Sequence, residues 1–512
     1  MTSSAPSARA RLFHHLSASP QRVALSMDGV ELTFGQLHAR AHRYATGLLA
    51  QGVRPGDRVA VWLETSPDVV VALLGHYMAG AVHVPINTRY GQRELDHILA
   101  DSAPRMVLVD AHRDDRLQML ALSATPCQVL TIDRARPFED TWASQTPHTR
   151  PLPAREDEDT ALFIYTSGTT GPSKGVELPY RAIAQGIGAL TALWRWTPED
   201  VLALSLPLFH VHGLCLGIHG VLLTGCSALL SRFSPEGVYD AFERQGATIF
   251  MGVPTMYTRL VRALEAHPEW ARALGQARLF TSGSGALSAQ TFERFEALTG
   301  HRILERYGMS ETLLTISNPY CPEARRPGTI GHPIAGVQMR ILDDNLHPTD
   351  GREPGQLAVR GDTMMTGYWG LPQKTAASFH EGWFLTGDAV RLDEEGYVVH
   401  VGRMSVDILK RGGYKISARE IEDALATLPG LEEVAVFGVA DEEWGQVIHA
   451  ALVPTSDAPA RDATAWLALC ASHLQGTLAP FKFPTQVHLL DALPRNALGK
   501  VQKHRLVASI DI

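Results

Sequence analysis

Cysteine is scarce in this chain and follows no pattern. Cys127, Cys215, Cys226, Cys321 and Cys470 are spread over 512 positions without CxxC spacing, which argues against a zinc site or disulfide framework and suits a reducing compartment. Long apolar runs are missing too: the best, residues 69–80, is broken by His76 and falls short of the roughly 20 residues that span a bilayer. Basic charge is in deficit. Lys and Arg number 46 against 54 Asp and Glu, a net −8, and no basic stretch is long enough to track a nucleic acid. The start, Met1 to Pro6 followed by Arg9 and Arg11, lacks the apolar segment of a secretory signal; its Ser, Ala and Arg content is weakly like a transit peptide, but it reads as an ordinary mobile tail, and the expected compartment is the cytoplasm. These absences leave a chain large enough for more than one domain, with small molecules as its expected partners.

The hydrophobic pattern alternates. Residues 23–27 and 30–33 flank Asp28-Gly29, a hairpin signal. Strand-like runs at 58–63, 82–85 and 106–109 are interleaved with helical patterns at 68–78 and 92–100, which predicts helix-covered parallel sheet. Residues 151–159 read as a polar solvated loop. Alternation resumes over 201–230 and 247–253, and 355–360 and 397–401 read as shorter β structure. Beyond about Arg403, helices at 420–428 and 463–474 and strands at 434–439, 448–453 and 486–490 form a small α+β domain. The expectation is an α/β protein with a large N-terminal domain, 1–402, that includes a small β-barrel-like part, and a smaller C-terminal domain, 403–512.

Against this background one loop stands out. Tyr165-Thr166-Ser167-Gly168-Thr169-Thr170-Gly171-Pro172-Ser173-Lys174-Gly175 follows the buried strand pattern Ala161-Leu162-Phe163-Ile164. Glycines let the backbone approach phosphate oxygens, and hydroxyls and one lysine complete a donor set. Most Gly/Ser/Thr clusters are solvent-exposed turns, and a Walker loop is excluded because Ser173 stands where that motif needs Gly.

The whole string resembles the phosphate loop of the acyl-adenylate-forming enzymes, and further segments of that family follow in order. Pro207-Leu208-Phe209-His210 is similar to the family's segment whose histidine, here His210, sits at the acyl-pocket mouth; His210 and His212 are otherwise structural histidines or a two-member metal pair. Thr281-Ser282-Gly283-Ser284-Gly285-Ala286 and Glu305-Arg306-Tyr307-Gly308-Met309-Ser310-Glu311-Thr312 resemble the floor of the nucleotide and acyl sites. The resemblance implies ATP and CoA as cosubstrates, Tyr307 against adenine, Mg2+ held by Glu311 with Thr169, and Asp388 and Arg403 on the ribose hydroxyls. Pro494-Arg495-Asn496-Ala497-Leu498-Gly499-Lys500 resembles the C-terminal signature that makes Lys500 the catalytic lysine.

In this family the C-terminal domain alternates between two orientations. One presents the lysine, and the other presents a loop that here is Lys410-Arg411-Gly412-Gly413, whose basic pair is a candidate CoA contact. The hinge falls at Ser405 or Val406, because the usual Lys-Asp of the hinge motif is replaced.

The implied reaction is attack of a carboxylate on the α-phosphorus of ATP, then attack of a thiol on the acyl-adenylate. Charge develops on phosphate oxygens, where a metal and a lysine act most strongly, and no protein nucleophile is needed. As to the acid, Glu305-Arg306 ahead of Tyr307, with the tracts Phe209 to Leu214 and Arg232 to Gly237, resembles malonyl-CoA synthetases. Arg306, assisted by Ser284 and lined by Gly283 and Met309, would hold the distal carboxylate of malonate or methylmalonate, unless it pairs with Glu305 or another acid. Another short, medium-chain or other acyl-CoA synthetase, or an adenylation protein that loads a phosphopantetheine carrier, is the alternative. Oligomeric state leaves no mark in the sequence.

Overall fold

The computed structural model describes residues 6–133, 137–142, 152–166, 173–404, 407–411, 414–441, 444–456, 458–459, 462–475, 477–495 and 501–509. The loop core Ser167 to Pro172, the hinge pair Ser405 and Val406, Gly412, Gly413 and Lys500 therefore lie outside the described residues. The chain divides into two compact units, one of residues 1–338 with 360–378 and the other of residues 339–359 with 379–512.

The first unit is built on two sheets. In the seven-stranded sheet, Thr160–Thr166, Val82–Pro85, Arg58–Trp62, Met106–Asp110 and Gln128–Ile132 run parallel in that spatial order. Lys174–Pro179 and then Gly367–Tyr368 extend it antiparallel. The nine-stranded sheet has a parallel run of Leu304–Tyr307, Leu279–Ser282, Ile249–Gly252, Val201–Leu204, Ser227–Leu230 and Val23–Met27. The expected hairpin closes one edge, with Val30–Thr33 returning on Val23–Met27 and Asp28 and Gly29 in left-handed conformation, φ 51° and 78°.

The apolar run that the sequence breaks at His76 is a core helix, Pro67–Ala79, buried from Val69 to Ala79. Gly75 allows this: a Cβ there would lie 2.4 Å from Tyr44 Cδ1 of the helix Phe34–Ala50. Among the described residues no helix is long and apolar enough to cross a membrane. The polar segment before the phosphate strand is not merely solvated. Asp157 Oδ1 accepts from Ala8 N at 2.8 Å and Pro153 O from Arg9 Nη1 at 2.8 Å, so it docks the first helix, Ala8–Ala18.

The core of this unit carries a buried imidazole chain. Tyr44 Oη and His76 Nε2 are 3.0 Å apart, His76 Nδ1 and His83 Nδ1 2.9 Å, and Tyr77 Oη and His219 Nε2 2.9 Å. Burial holds the rings neutral: His76 is pushed down to about 3, His219 to about 4, and His83 well below the ordinary histidine range. Since the folded values lie below the unfolded value near 6.5, the stability held by these rings is complete above that pH and is lost as pH falls through it. Each ring should cost about 2 kcal/mol between pH 7 and pH 5. Urea midpoints measured at both pH values should drop accordingly, and a midpoint unchanged at pH 5 contradicts the neutral chain.

The second unit contains strand Trp383–Leu392, paired antiparallel with Phe379–His380 and with Val398–Arg403, part of a five-stranded sheet curled as a half-barrel; this is the small β-barrel-like part expected within residues 1–402, and its strands group with the C-terminal residues instead. It also holds a three-stranded sheet of Leu431–Asp441, Gly445–Pro454 and Gln486–Leu489. The helices Ala418–Leu425 and Ala463–Leu474 pack on that sheet around Trp466, Ile421 and Val436. The first of these helices starts and ends earlier than the 420–428 pattern. Ser417 Oγ caps Glu420 N at 3.2 Å, which sets the start, and Leu428 sits past the last turn as an apolar plug.

Candidate active site

Four motifs far apart in sequence meet because their strands are parallel neighbours. Residues 207–213, Pro254, residues 283–286 and residues 306–312 each follow or close the C-terminal end of a strand in the nine-stranded sheet, the edge at which open α/β sheets bind ligands. The register Ser282 opposite Glu305 sets Gly283 beside Arg306. A Cβ on Gly283 would lie 2.4 Å from the Arg306 guanidinium carbon, so only glycine leaves room for that side chain.

Arg306 is the unusual group. It is 5% exposed, and its Nε and Nη2 find no hydrogen-bond partner among the described residues. The pairing with Glu305 does not form, because adjacent strand residues point to opposite faces; Glu305 Oε2 instead lies 3.4 Å from Leu287 N. Burial draws the guanidinium down to about 9, still cationic at neutral pH. Next to it, His212 Nδ1 and Ser284 Oγ are 3.1 Å apart. Ser284 takes a left-handed φ of 66°, a strained conformation for a non-glycine residue. His212 is held neutral by its burial and by the charge of Arg306, and its Nε2 is buried without a described partner.

His212 was not among the expected site residues; His210 was. His210 Nδ1 instead accepts the backbone N–H of His212 at 3.3 Å. Neither sits on a strand, since the chain turns at His210 and opens a π-helix, His212–His219. Two glycines make this wide turn possible: Cβ atoms on Gly213 and Gly217 would lie 2.4 Å from Pro207 O and 2.9 Å from Leu204 Cδ2.

The second cluster lies around Glu311. Strand register sets Thr166 opposite Lys174 at the mouth of the phosphate loop, and Thr166 Oγ1 is buried without a described partner. Lys174 Nζ lies 4.9 Å from the centroid of the Tyr368 ring, and Tyr368 Oη donates to Glu311 Oε1 at 2.9 Å. Met365 N donates to Glu311 O at 2.8 Å. Tyr368 therefore links the lysine and the carboxylate, a role for which its sequence surroundings give no signal. The tight turn that aims Glu311 depends on Gly308, where a Cβ would lie 1.8 Å from Leu313 O. Tyr307 is half-buried beside Met309, its Oη 3.9 Å from Sδ.

In the second unit, Asp388 is buried within the strand Trp383–Leu392, just past Gly387, which takes a left-handed φ of 74° where the strand is irregular. Its Oδ1 accepts from Arg403 Nε at 2.9 Å and lies 3.5 Å from His400 Nε2. Arg403 Nη1 also donates to Thr386 O at 3.0 Å, so the two expected ribose residues form one pair. Arg411 donates to Phe481 O at 2.8 Å and stacks on Trp444.

Among the described residues no group of three or more His, Cys, Asp and Glu could hold a metal. A magnesium ion bridging substrate phosphates needs only one or two protein oxygens. A buried carboxylate at Glu311, with a lysine nearby to share the phosphate charge, fits that demand.

Two largely parallel sheets and a turn carrying a buried glutamate, with a Ser/Thr/Gly sequence following a strand, fit the class of adenylate-forming enzymes, and the family models give that class. The chain belongs to the AMP-binding enzyme family, matched over residues 12–369, with that family's C-terminal domain over residues 420–500. It is 34% identical to a malonate–CoA ligase of Arabidopsis thaliana, covering 98% of this chain and 88% of the relative. It is 32% identical to the human mitochondrial malonate–CoA ligase, over 97% and 92%. The crystal structure of ATP-bound MatB from Rhodopseudomonas palustris superimposes with a TM-score of 0.89 at 36% identity, over 98% of both chains.

Proposed function

We propose that this chain is an ATP-dependent malonate–CoA ligase that also accepts methylmalonate. One malonate carboxylate oxygen attacks the α-phosphorus of ATP and pyrophosphate leaves. The CoA thiol then attacks the acyl carbon, the thioester forms, and AMP departs with the bonding pair. The observation that carries this reading is Arg306, a buried cation with Nε and Nη2 unpartnered among the described residues, beside Ser284 and His212. A distal carboxylate would satisfy it, whereas a fatty or aryl chain would leave it buried and unpaired at a cost of several kcal/mol. The relatives named for malonate support the same assignment.

The remaining residues take their roles from the family resemblance. Tyr307 would face adenine, Asp388 and Arg403 would hold the ribose hydroxyls, and Thr166 to Gly171 with Lys174 would grip the β and γ phosphates. Glu311, with Thr169, would hold Mg2+, which when bound neutralises phosphate charge. Lys500 would meet the charge developing at the α-phosphate, and Lys410 to Gly413 would receive CoA after reorientation about a boundary near 402/403. The free cysteines support a reducing compartment, and the cytoplasm is the proposed one.

A panel of acids with ATP, Mg2+ and CoA tests the assignment. Malonate should give the highest kcat/KM, with methylmalonate second; faster turnover of acetate, hexanoate or benzoate would refute it.

A further inference from the structure

The loop that carries Lys500 leaves and re-enters the described structure at a closed base. Arg495 and Val501 form an antiparallel bridge, and Gln502 N donates to Pro494 O at 2.7 Å. On the outgoing side, Arg495 Nη2 pairs with Glu433 Oε1 at 2.8 Å. On the incoming side stands Lys503, the first residue of the closing helix Lys503–Ala508.

Lys503 is no ordinary solvated lysine. Its side chain is 11% exposed, and its Nζ lies 2.6 Å from Asp407 Oδ1 and 2.7 Å from Glu422 Oε1. Both carboxylates are themselves fixed. Glu422 Oε1, on the helix Ala418–Leu425, also accepts Val436 N at 2.7 Å, and Asp407 Oδ2 accepts Arg403 N at 2.9 Å. Asp407 is seated so closely that a Cβ on Gly402 would lie 2.4 Å from its own Cβ. Burial works against the Lys503 charge, but Glu422 and Asp407 outweigh it and raise its affinity for the proton.

A buried ion cluster of this kind contributes little to stability compared with well-packed apolar side chains of similar volume, and its effect lies in geometry. What it fixes here is the point at which the lysine loop rejoins the domain. We infer that Lys503 is a positioning residue for adenylation: clamped by Asp407 and Glu422, it sets the register of the loop that presents Lys500 to the α-phosphate. The inference rests on the proposed role of Lys500. It gives Asp407, just past the expected hinge, a task in the first half-reaction that does not involve substrate contact.

The test separates the half-reactions in the full chain. Carboxylate-dependent pyrophosphate release reports adenylation, and CoA consumption with supplied malonyl-AMP reports thioester formation. Lys503→Met should lower adenylation kcat by about 10- to 100-fold, the scale of a misplaced catalytic group. It should leave KM for ATP and the thioester step within about twofold. Lys503→Arg, whose guanidinium can fork onto both carboxylates, should restore most of the rate.

If Lys503→Met does not fold, Glu422→Gln and Asp407→Asn keep the local shape and should give the same split. Adenylation within about twofold of wild type in a folded variant, or an equal loss in both half-reactions, overturns the inference. A wild-type chain that releases no pyrophosphate with any carboxylate overturns the functional reading, and the inference falls with it.

Discussion

Replacing Arg306 by Met should reduce malonate kcat/KM by about 10²- to 10⁴-fold while making the protein harder to unfold. Two charge-assisted hydrogen bonds to a distal carboxylate are together worth about 3–6 kcal/mol, which sets the activity loss. The stability change has the opposite sign because the guanidinium is buried with Nε and Nη2 unpartnered among the described residues. An apolar side chain of similar length removes that penalty. Relative activity on acetate or butyrate should rise. Gly283→Ala should reproduce part of the effect without touching the arginine, since the added methyl group meets the guanidinium at 2.4 Å. Steady-state kinetics with the acid series and a thermal melt of each variant check both halves. Malonate turnover retained in Arg306→Met would remove this residue from the acid site.

Lys500→Ala should cost about 10²- to 10³-fold in pyrophosphate release, the usual penalty for losing one preorganised donor to developing charge. Thioester formation from supplied malonyl-AMP should be spared, because there the leaving group is AMP and the attacking thiol brings its own nucleophile. Single-turnover measurement of each half-reaction distinguishes the steps. Equal losses in both would mean that the lysine supports the fold of the domain and not the chemistry of the first step.

What the sequence makes legible is what local rules govern. The Asp28-Gly29 turn, the alternation that yields two parallel sheets and the core helix Pro67–Ala79 all follow from turn chemistry and hydrophobic period. Arg306 and Ser284 could be singled out together only through the family resemblance, and the strand register explains why they stand at neighbouring strand ends. His212 was passed over for His210 because the π-helix has no sequence period of its own, and its first turn depends on glycines packed against residues from a preceding strand and turn. Tyr368 was invisible for a related reason. It reaches Glu311 from a two-residue strand that pairs with a strand distant in the chain and is tied to the following helix by Thr375 Oγ1. The triad at Lys503 likewise assembles from three segments, none of which reads as unusual alone.

Among the described residues the strand Thr160–Thr166 is next followed by Lys174–Pro179, running back antiparallel beside it. Nucleotide-binding loops that open a helix hold their anion partly with the fixed partial charge of that helix end. Among the described residues no helix opens directly after this strand, and on the proposed reading the attraction comes from one lysine and from a cation that would travel with the phosphates. Were pyrophosphate to leave together with that cation, most of the charge that held it would leave too. On that reading the first product is expected to clear rapidly, so that little pyrophosphate would linger to drive the adenylation backwards.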